Sequence, residues 1–181
     1  MIDSTRSTRF KVQISEIDFK VLINESLVNL RNIDGAHKLL VKTTIESLLP
    51  FYSDQRQLLV IFNNLISNAI KYQHAHELHP VLNIHIEVSS EKVKITFKDN
   101  GIGISKENLS KVFDMFFRSP GTKPDGSGLG LYISKEIVRK LKGRIHVSSA
   151  VNEGTSFMLE IPNKIDPDLL RKLTKLIENT K

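Results

Sequence analysis

Residues 54–72, DQRQLLVIFNNLISNAIKY, constrain this 181-residue chain more than any other stretch. Leu58, Leu59, Phe62, Leu65, Ile66, Ala69 and Ile70 recur at helical spacing, so a helix here must bury one wide face. Asn64, Asn68 and Lys71 fall at i, i+4 and i+7, which gathers them on a narrow polar stripe away from that face. Such a stripe is either the wet back of a core helix, the common case, or the floor of a site. The segments that follow bear on the choice.

Alternation of apolar residues predicts strands at Phe10, Val12 and Ile14, over residues 37–45, and as an antiparallel hairpin of 81–88 and 93–97 joined by Ser89-Ser90-Glu91-Lys92. Asp18 caps a predicted helix running to Arg31, and Asp54 caps the central one. Asp34-Gly35 is a turn. Ser105 opens a short helix to Val112, and residues 113–128 read as a long loop of the kind that carries function. A helix over 131–141 ends at Gly143. A second hairpin pairs 144–150 with 155–161 through Asn152-Glu153-Gly154. Asp166-Pro167 starts a last amphipathic helix with Leu169, Leu170, Leu173, Leu176 and Ile177, which either packs on the body or docks elsewhere. Helices mixed with antiparallel strands give the α+β class. Residues 1–9 are polar and read as a tail or linker stub.

Bulk composition narrows the function little. The net charge of +6 favours anionic partners, yet the cations are scattered and form no aromatic-basic platform, so no nucleic-acid partner is expected. Cysteine is absent, which removes disulfides and thiolate metal sites. No apolar run approaches the ~20 residues that span a bilayer, so no membrane contact is expected, and the cytoplasm is the plainer compartment. His74, His76 and His79 share one loop at zinc-like spacing, but no fourth ligand is nearby and a solvated loop is the better reading.

Two glycine motifs carry chemistry. DNGIGI, residues 99–104, follows a strand. It is either a tight corner or a place where Asp99 accepts a hydrogen bond from the exocyclic amine of an adenine, with Gly101 and Gly103 letting a flat base approach. GSGLGL, residues 126–131, precedes a helix. It is either a flexible hinge or a phosphate cradle of inward amides. It is not a Walker loop, and no strand leads into it as a dinucleotide fingerprint requires.

Four boxes thus stand in a fixed order: NNLISNAIKY, DNGIGIS, FDMFF and GSGLGL, with GTSF after them. The arrangement resembles the ATP-binding catalytic domain of sensor histidine kinases, within the superfamily that includes type II topoisomerases and the Hsp90 chaperones. The resemblance covers residues 10–163 and leaves 164–181 as an appended helix. It implies a two-layer α/β sandwich, a mixed sheet with helices on one face, and ATP held between the helices and a lid.

The resemblance also implies roles. Asn68 matches a magnesium-ligating asparagine, and Asn64 lines the same site one turn earlier. Lys71 would meet phosphate oxygens, and Tyr72 would pack near the base. Asp99 matches the adenine-reading aspartate, with Gly101, Gly103 and Ile104 beside it. Phe113 and Phe116 match an aromatic box that anchors the lid, and Arg118 a lid arginine reaching for phosphate. Gly126, Ser127, Gly128, Leu129, Gly130 and Leu131 match the phosphate-wrapping run, and Thr155 a residue near the adenine pocket. Catalytic roles fall to Asn64, Lys71 and Arg118. The superfamily's ATPase branches carry a glutamate base where Asn64 stands. An amide takes no proton at neutral pH, so phosphoryl transfer to a protein is implied rather than hydrolysis.

The expected cofactors are ATP and Mg²⁺. The expected partners are a dimerisation domain bearing a phosphoacceptor histidine and, downstream, a response regulator. No such helical hairpin precedes Phe10, and HELHP, residues 76–80, has the letters of an acceptor motif in the wrong setting. The chain therefore reads as the catalytic piece of a longer kinase, itself monomeric, from a homodimeric parent that such families often anchor in the inner membrane. An anti-sigma-type serine kinase and a non-catalytic, ATP-gated binding module are the rival readings.

Overall fold

The central helix starts where its cap says. In the computed structural model, which describes residues 12–74, 79–118 and 126–179, the buried Asp54 accepts a hydrogen bond through Oδ1 from Gln57 N at 3.0 Å. Its Oδ2 accepts a second from Gln13 N at 2.9 Å, so one carboxylate both caps the helix and ties down the incoming chain. Replacing it orphans two backbone donors. Asp54→Ala is expected to lower stability by about 2 kcal/mol and the thermal midpoint by about 4–8 °C; a midpoint within one degree of the parent would show the cap to be idle.

In chain order the elements are β1 (Ser15–Glu16), α1 (Phe19–Leu30), β2 (Leu40–Ser47), β3 (Tyr52–Ser53), α2 (Gln55–Lys71), β4 (Val81–Val88), β5 (Lys92–Asp99), α3 (Lys106–Leu109), α4 (Gly130–Lys140), β6 (Arg144–Ala150), β7 (Gly154–Pro162) and α5 (Pro167–Glu178). Five strands form one mixed sheet in the order β2-β4-β5-β7-β6. Only β2 and β4 pair in parallel, with α2 as their crossover; the other neighbours are antiparallel. A shorter sheet joins β1 to β3.

One face of the large sheet is the core. Ile84, Ile86, Val93, Ile95, Phe97, Leu159 and Ile161 alternate onto it and are buried. Against them lie Leu58, Ile61, Phe62, Leu65, Ile66, Ala69 and Ile70 of α2, Phe19, Leu22 and Ile23 of α1, and Val138 of α4. Phe62 is the hub: its ring meets Phe97 edge-on at 4.9 Å and stacks near Phe19 at 6.5 Å. The other face carries Asn83, His85 and Glu87 on β4 and Lys92, Lys94 and Lys98 on β5.

The two hairpins stand at their expected places, and Asp18, Asp54 and Asp166 cap α1, α2 and α5. Several boundaries move. Phe10 lies outside the described residues, and the entering strand pairs at Ser15–Glu16 instead of at Val12 and Ile14. Residues 37 and 38 belong to a 3₁₀ turn, so β2 starts at Leu40. The helix after Ser105 stops at Leu109, short of Val112. Leu59 is only half-buried while Ile61 is fully buried, because α1 and the sheet together cover a wider arc than the sequence pattern marks. Gly143 does not end α4 by adopting a left-handed conformation; Lys142 does, at φ 64°. Gly143 is needed because a Cβ there would sit 2.3 Å from the Glu160 carbonyl oxygen.

One side chain fixes the corner at the Pro162 end of β7, away from the end of the sheet that carries Asp99. Asn163 accepts through Oδ1 from Tyr52 N and Ile165 N, at 3.0 and 3.1 Å. Its Nδ2 donates to Pro50 O and Ser89 O, at 3.0 and 3.1 Å, and Lys164 N donates to Tyr52 O at 3.0 Å. Beyond it, none of the residues of α5 is fully buried; Leu169, Leu170, Leu173 and Ile177 are half-covered and Leu176 is exposed. Among the described residues no helix is long and apolar enough to cross a membrane.

Candidate nucleotide-binding site

The polar stripe of α2 is a wall of a cavity. Asn64, Ser67, Asn68, Lys71 and Tyr72 line one side of a space of about 330 Å³ that opens between α2, the end of β5 and the start of α4. Asp99, Gly103, Ile104 and Thr155 line it at the sheet end, and Gly126, Ser127, Gly128, Leu129, Gly130 and Leu131 at the helix end, with Arg118 beside them. The segments are far apart in sequence, and the β5–β7 pairing brings Asp99 and Thr155 together.

Asp99 is the one carboxylate among the described lining residues. Its Oδ1 accepts from Gly101 N at 2.8 Å and from Thr155 N at 3.1 Å. Burial pushes its pKa above the ordinary carboxylate value, and the two backbone N–H groups hold that rise back in part. Oδ2 carries neither of those bonds, so the group offers an acceptor to the cavity in a setting where a fixed donor counts for more than in water. Behind it, Ser149 Oγ donates to Gly154 O at 2.6 Å, accepts from Ile104 N at 2.8 Å, and lies 3.0 Å from Thr155 Oγ1, which knits the DNGIGI turn to the second hairpin.

The glycines of that turn serve a purpose the sequence reading did not assign. A Cβ at Gly103, where φ is +69°, would stand 1.9 Å from the Ala150 carbonyl oxygen, and one at Gly101 would stand 2.3 Å from that of Tyr72. Backbone, rather than a flat base, fills the room beside both. Gly101 accordingly does not line the cavity, whereas Gly103 does. Phe113 is also absent from the lining. It packs edge-on against Phe157 at 6.3 Å, under the Lys135 ammonium at 5.5 Å. Phe116 is exposed at φ 63°, and Phe117 lines the cavity in its place. Residues 119–125 of the long loop lie outside the described set, as does His76; His74 and His79 are described.

At the helix end, Lys71 Nζ lies 3.8 Å from where a Cβ of Gly126 would be, so the cation and the glycine run share one corner. The run feeds directly into α4, whose first residue is Gly130 and whose N-terminal amides add positive potential there. Asn64 Nδ2 donates to Gly130 O at 3.0 Å and to Ser134 Oγ at 3.1 Å, binding α2 to α4. Ser67, Ile102, Val112, Phe117, Ile133 and Phe157 complete the lining and were not singled out by sequence. Ser67 lies between Asn64 and Asn68 on the stripe and could have been; the apolar ones carry no signal that separates lining from core.

The model of the histidine kinase-, DNA gyrase B- and HSP90-like ATPase family matches residues 53–165. The chain belongs to this ATPase family. The sensor protein RprX of Bacteroides fragilis is 34% identical over 170 residues, which cover 90% of this chain and 31% of that protein. The sensor protein kinase WalK of Staphylococcus epidermidis is 32% identical over 157 residues, 84% of this chain and 25% of that one. The chain thus spans about a third or less of these curated relatives. Among solved structures, the Acinetobacter baumannii histidine kinase AdeS superposes with a TM-score of 0.67 at 28% identity, covering 86% of this chain and 70% of that one. The catalytic domain of the histidine kinase ThkA gives 0.68 at 27% identity, covering 83% of this chain and 96% of that domain. The fold is therefore that of a histidine kinase catalytic domain, an α+β ATPase fold. The family match begins at Ser53, yet Phe19, Leu22 and Ile23 of α1 belong to the same hydrophobic core, so the body extends well upstream of the matched residues.

Proposed function

We propose that this chain binds Mg–ATP in the cavity and presents the γ-phosphoryl group to a histidine on a separate dimerisation domain of the same parent protein, with a response regulator downstream. The observation that carries the reading is the pairing of one amide-held carboxylate, Asp99, with a glycine run and Lys71 at the opposite end of a single cavity. Asp99 suits the amine of an adenine, and the amides of the glycine run with Lys71 and Arg118 suit phosphate oxygens. The body of this unit is read as residues 10–163, with 164–181 appended.

The donor set also fits a magnesium ion held mainly by phosphates. Asn64 commits its amide nitrogen to α4, which leaves its oxygen as a neutral hard donor, and Asn68 lines the cavity one turn on. When bound, the ion would neutralise phosphate charge. The chain's own residues would hold the purine, wrap the phosphates and keep the γ-phosphate turned outward. In the transfer the bond from γ-phosphorus to the bridging oxygen breaks and a bond to imidazole nitrogen forms, with ADP leaving; positioning and charge neutralisation are the protein's whole contribution. Among the described lining residues none but Asp99 could act as a carboxylate base, and it stands with the glycine turn at the sheet end rather than beside Lys71, which favours transfer over hydrolysis.

Asn68→Ala is expected to weaken Mg–ATP binding by about tenfold or more while leaving metal-free ADP binding within twofold. Calorimetry with magnesium and with EDTA checks this, and equal affinities for parent and variant in magnesium would remove Asn68 from the site. Labelled ATP added with a separate histidine-bearing hairpin domain tests the activity itself. Tight ATP binding without transfer to any such domain would favour a nucleotide-gated binding module, and label on serine a serine kinase.

A further inference from the structure

Ser134 is fully buried in α4 and belongs to none of the sequence boxes. A serine in a helix that bonds only the carbonyl four residues back contributes nothing an alanine would not. Ser134 Oγ makes that bond, donating to Gly130 O at 2.9 Å, but it also accepts from Asn64 Nδ2 at 3.1 Å. The same nitrogen donates to Gly130 O at 3.0 Å. Three groups from two helices therefore close a small ring of hydrogen bonds beside the cavity.

The ring fixes direction as well as place. A primary amide nitrogen has two hydrogens, and both are used. The Gly130 carbonyl can only accept, so a flipped Asn64 would set two acceptors against each other. The Ser134 hydroxyl hydrogen is taken by the same carbonyl, so the hydroxyl faces Asn64 with a lone pair. Oδ1 of Asn64 is then the side-chain atom left to serve the cavity that Asn64 lines.

We propose that Ser134 is a positioning residue for the nucleotide site: beside the Gly130 carbonyl, which sets the direction of the Asn64 amide, it engages the second amide hydrogen and holds the group still, so that oxygen rather than nitrogen is offered to the metal-bound phosphates. This rests on the reading of the cavity as a Mg–ATP site. It assigns to α4 a second task beside its N-terminal amides, that of aiming a ligand carried by α2.

The test uses the whole chain as Ser134→Ala and as Ser134→Cys, which keeps the volume but accepts hydrogen bonds weakly. In nitrogen-labelled parent protein the two Asn64 side-chain amide protons, assigned by their absence in Asn64→Ala, should exchange slowly. In both Ser134 variants at least one should exchange about tenfold faster, and Mg–ATP affinity should fall about fivefold while ADP in EDTA stays within twofold. Unchanged exchange, or an equal fall with and without metal, would overturn the proposal, since the second outcome is what loose packing alone produces. A parent that bound no nucleotide in either buffer would remove the reading of the cavity and the proposal with it.

Discussion

Asp99→Asn is expected to weaken ATP binding by about a hundredfold while leaving the fold at least as stable as the parent. The two halves follow from the same geometry. Gly101 N and Thr155 N both donate to Oδ1. An asparagine can satisfy them with its oxygen, but its NH₂ then faces the cavity, where an adenine amine is also a donor. Turned the other way, the NH₂ faces the two backbone donors. Neither orientation serves both. The stability half follows from proton linkage. Burial raises the Asp99 pKa, so the folded chain holds this proton more tightly than the unfolded one. The contribution to stability is largest below the ordinary carboxylate pKa and is withdrawn as pH climbs from there through the raised value. At neutral pH the folded parent carries that cost and the asparagine variant does not. Melting curves at pH 4 and pH 7 should show the variant gaining on the parent as pH rises, and parent ATP binding should fade on acidification before an ordinary carboxylate would protonate. An asparagine variant that bound ATP within fivefold of the parent would rule out Asp99 as the base-reading group.

Gly103→Ala is expected to cost at least about 3 kcal/mol and to take nucleotide binding with it. The position has φ +69°, and the added carbon would meet backbone at 1.9 Å, the oxygen of Ala150. Relief requires the DNGIGI turn and the second hairpin to part, which strains the bond from Asn152 N to Ile102 O at 2.8 Å and that from Ile104 N to Ser149 Oγ at 2.8 Å. Gly126→Ala is the internal control. Among the described residues its added carbon would meet nothing nearer than Lys71 Nζ at 3.8 Å, so its stability should stay within about 0.5 kcal/mol of the parent. Denaturant midpoints compare the two. If Gly103→Ala melted alongside Gly126→Ala, the close approach would be relieved by a movement too small to matter.

Local chemistry made much of this molecule legible. Carboxylate caps, two hairpin turns and the two faces of α2 each depend on residues within a few positions of one another, and, Leu59 and Ile61 aside, they stand where the sequence puts them. The parallel pairing of β2 with β4 is not local: nothing in LVKTTIES marks it as an edge strand of that register. Leu59 and Ile61 sit on adjoining arcs of one helix, and which is covered depends on α1. The motif glycines were visible as glycines, but the backbone they admit comes from Tyr72 and Ala150, one before the turn and one far after it. Ser134 resembles any small residue in an amphipathic helix until Asn64 is placed beside it.

Tyr52 receives the chain twice. Glu16 pairs with it on the way in, and Lys164 bonds its carbonyl on the way out, with Asn163 holding the junction. This corner lies near the Lys92 end of β5, while Asp99 lies at the other, about 23 Å along the strand. A pull on the entering chain would meet the Gln13–Asp54 bond first and those at Tyr52 next, at the end of the body away from Asp99. The entering chain and the cavity thus attach to opposite ends of α2, whose first residue follows Asp54 and whose last is Lys71.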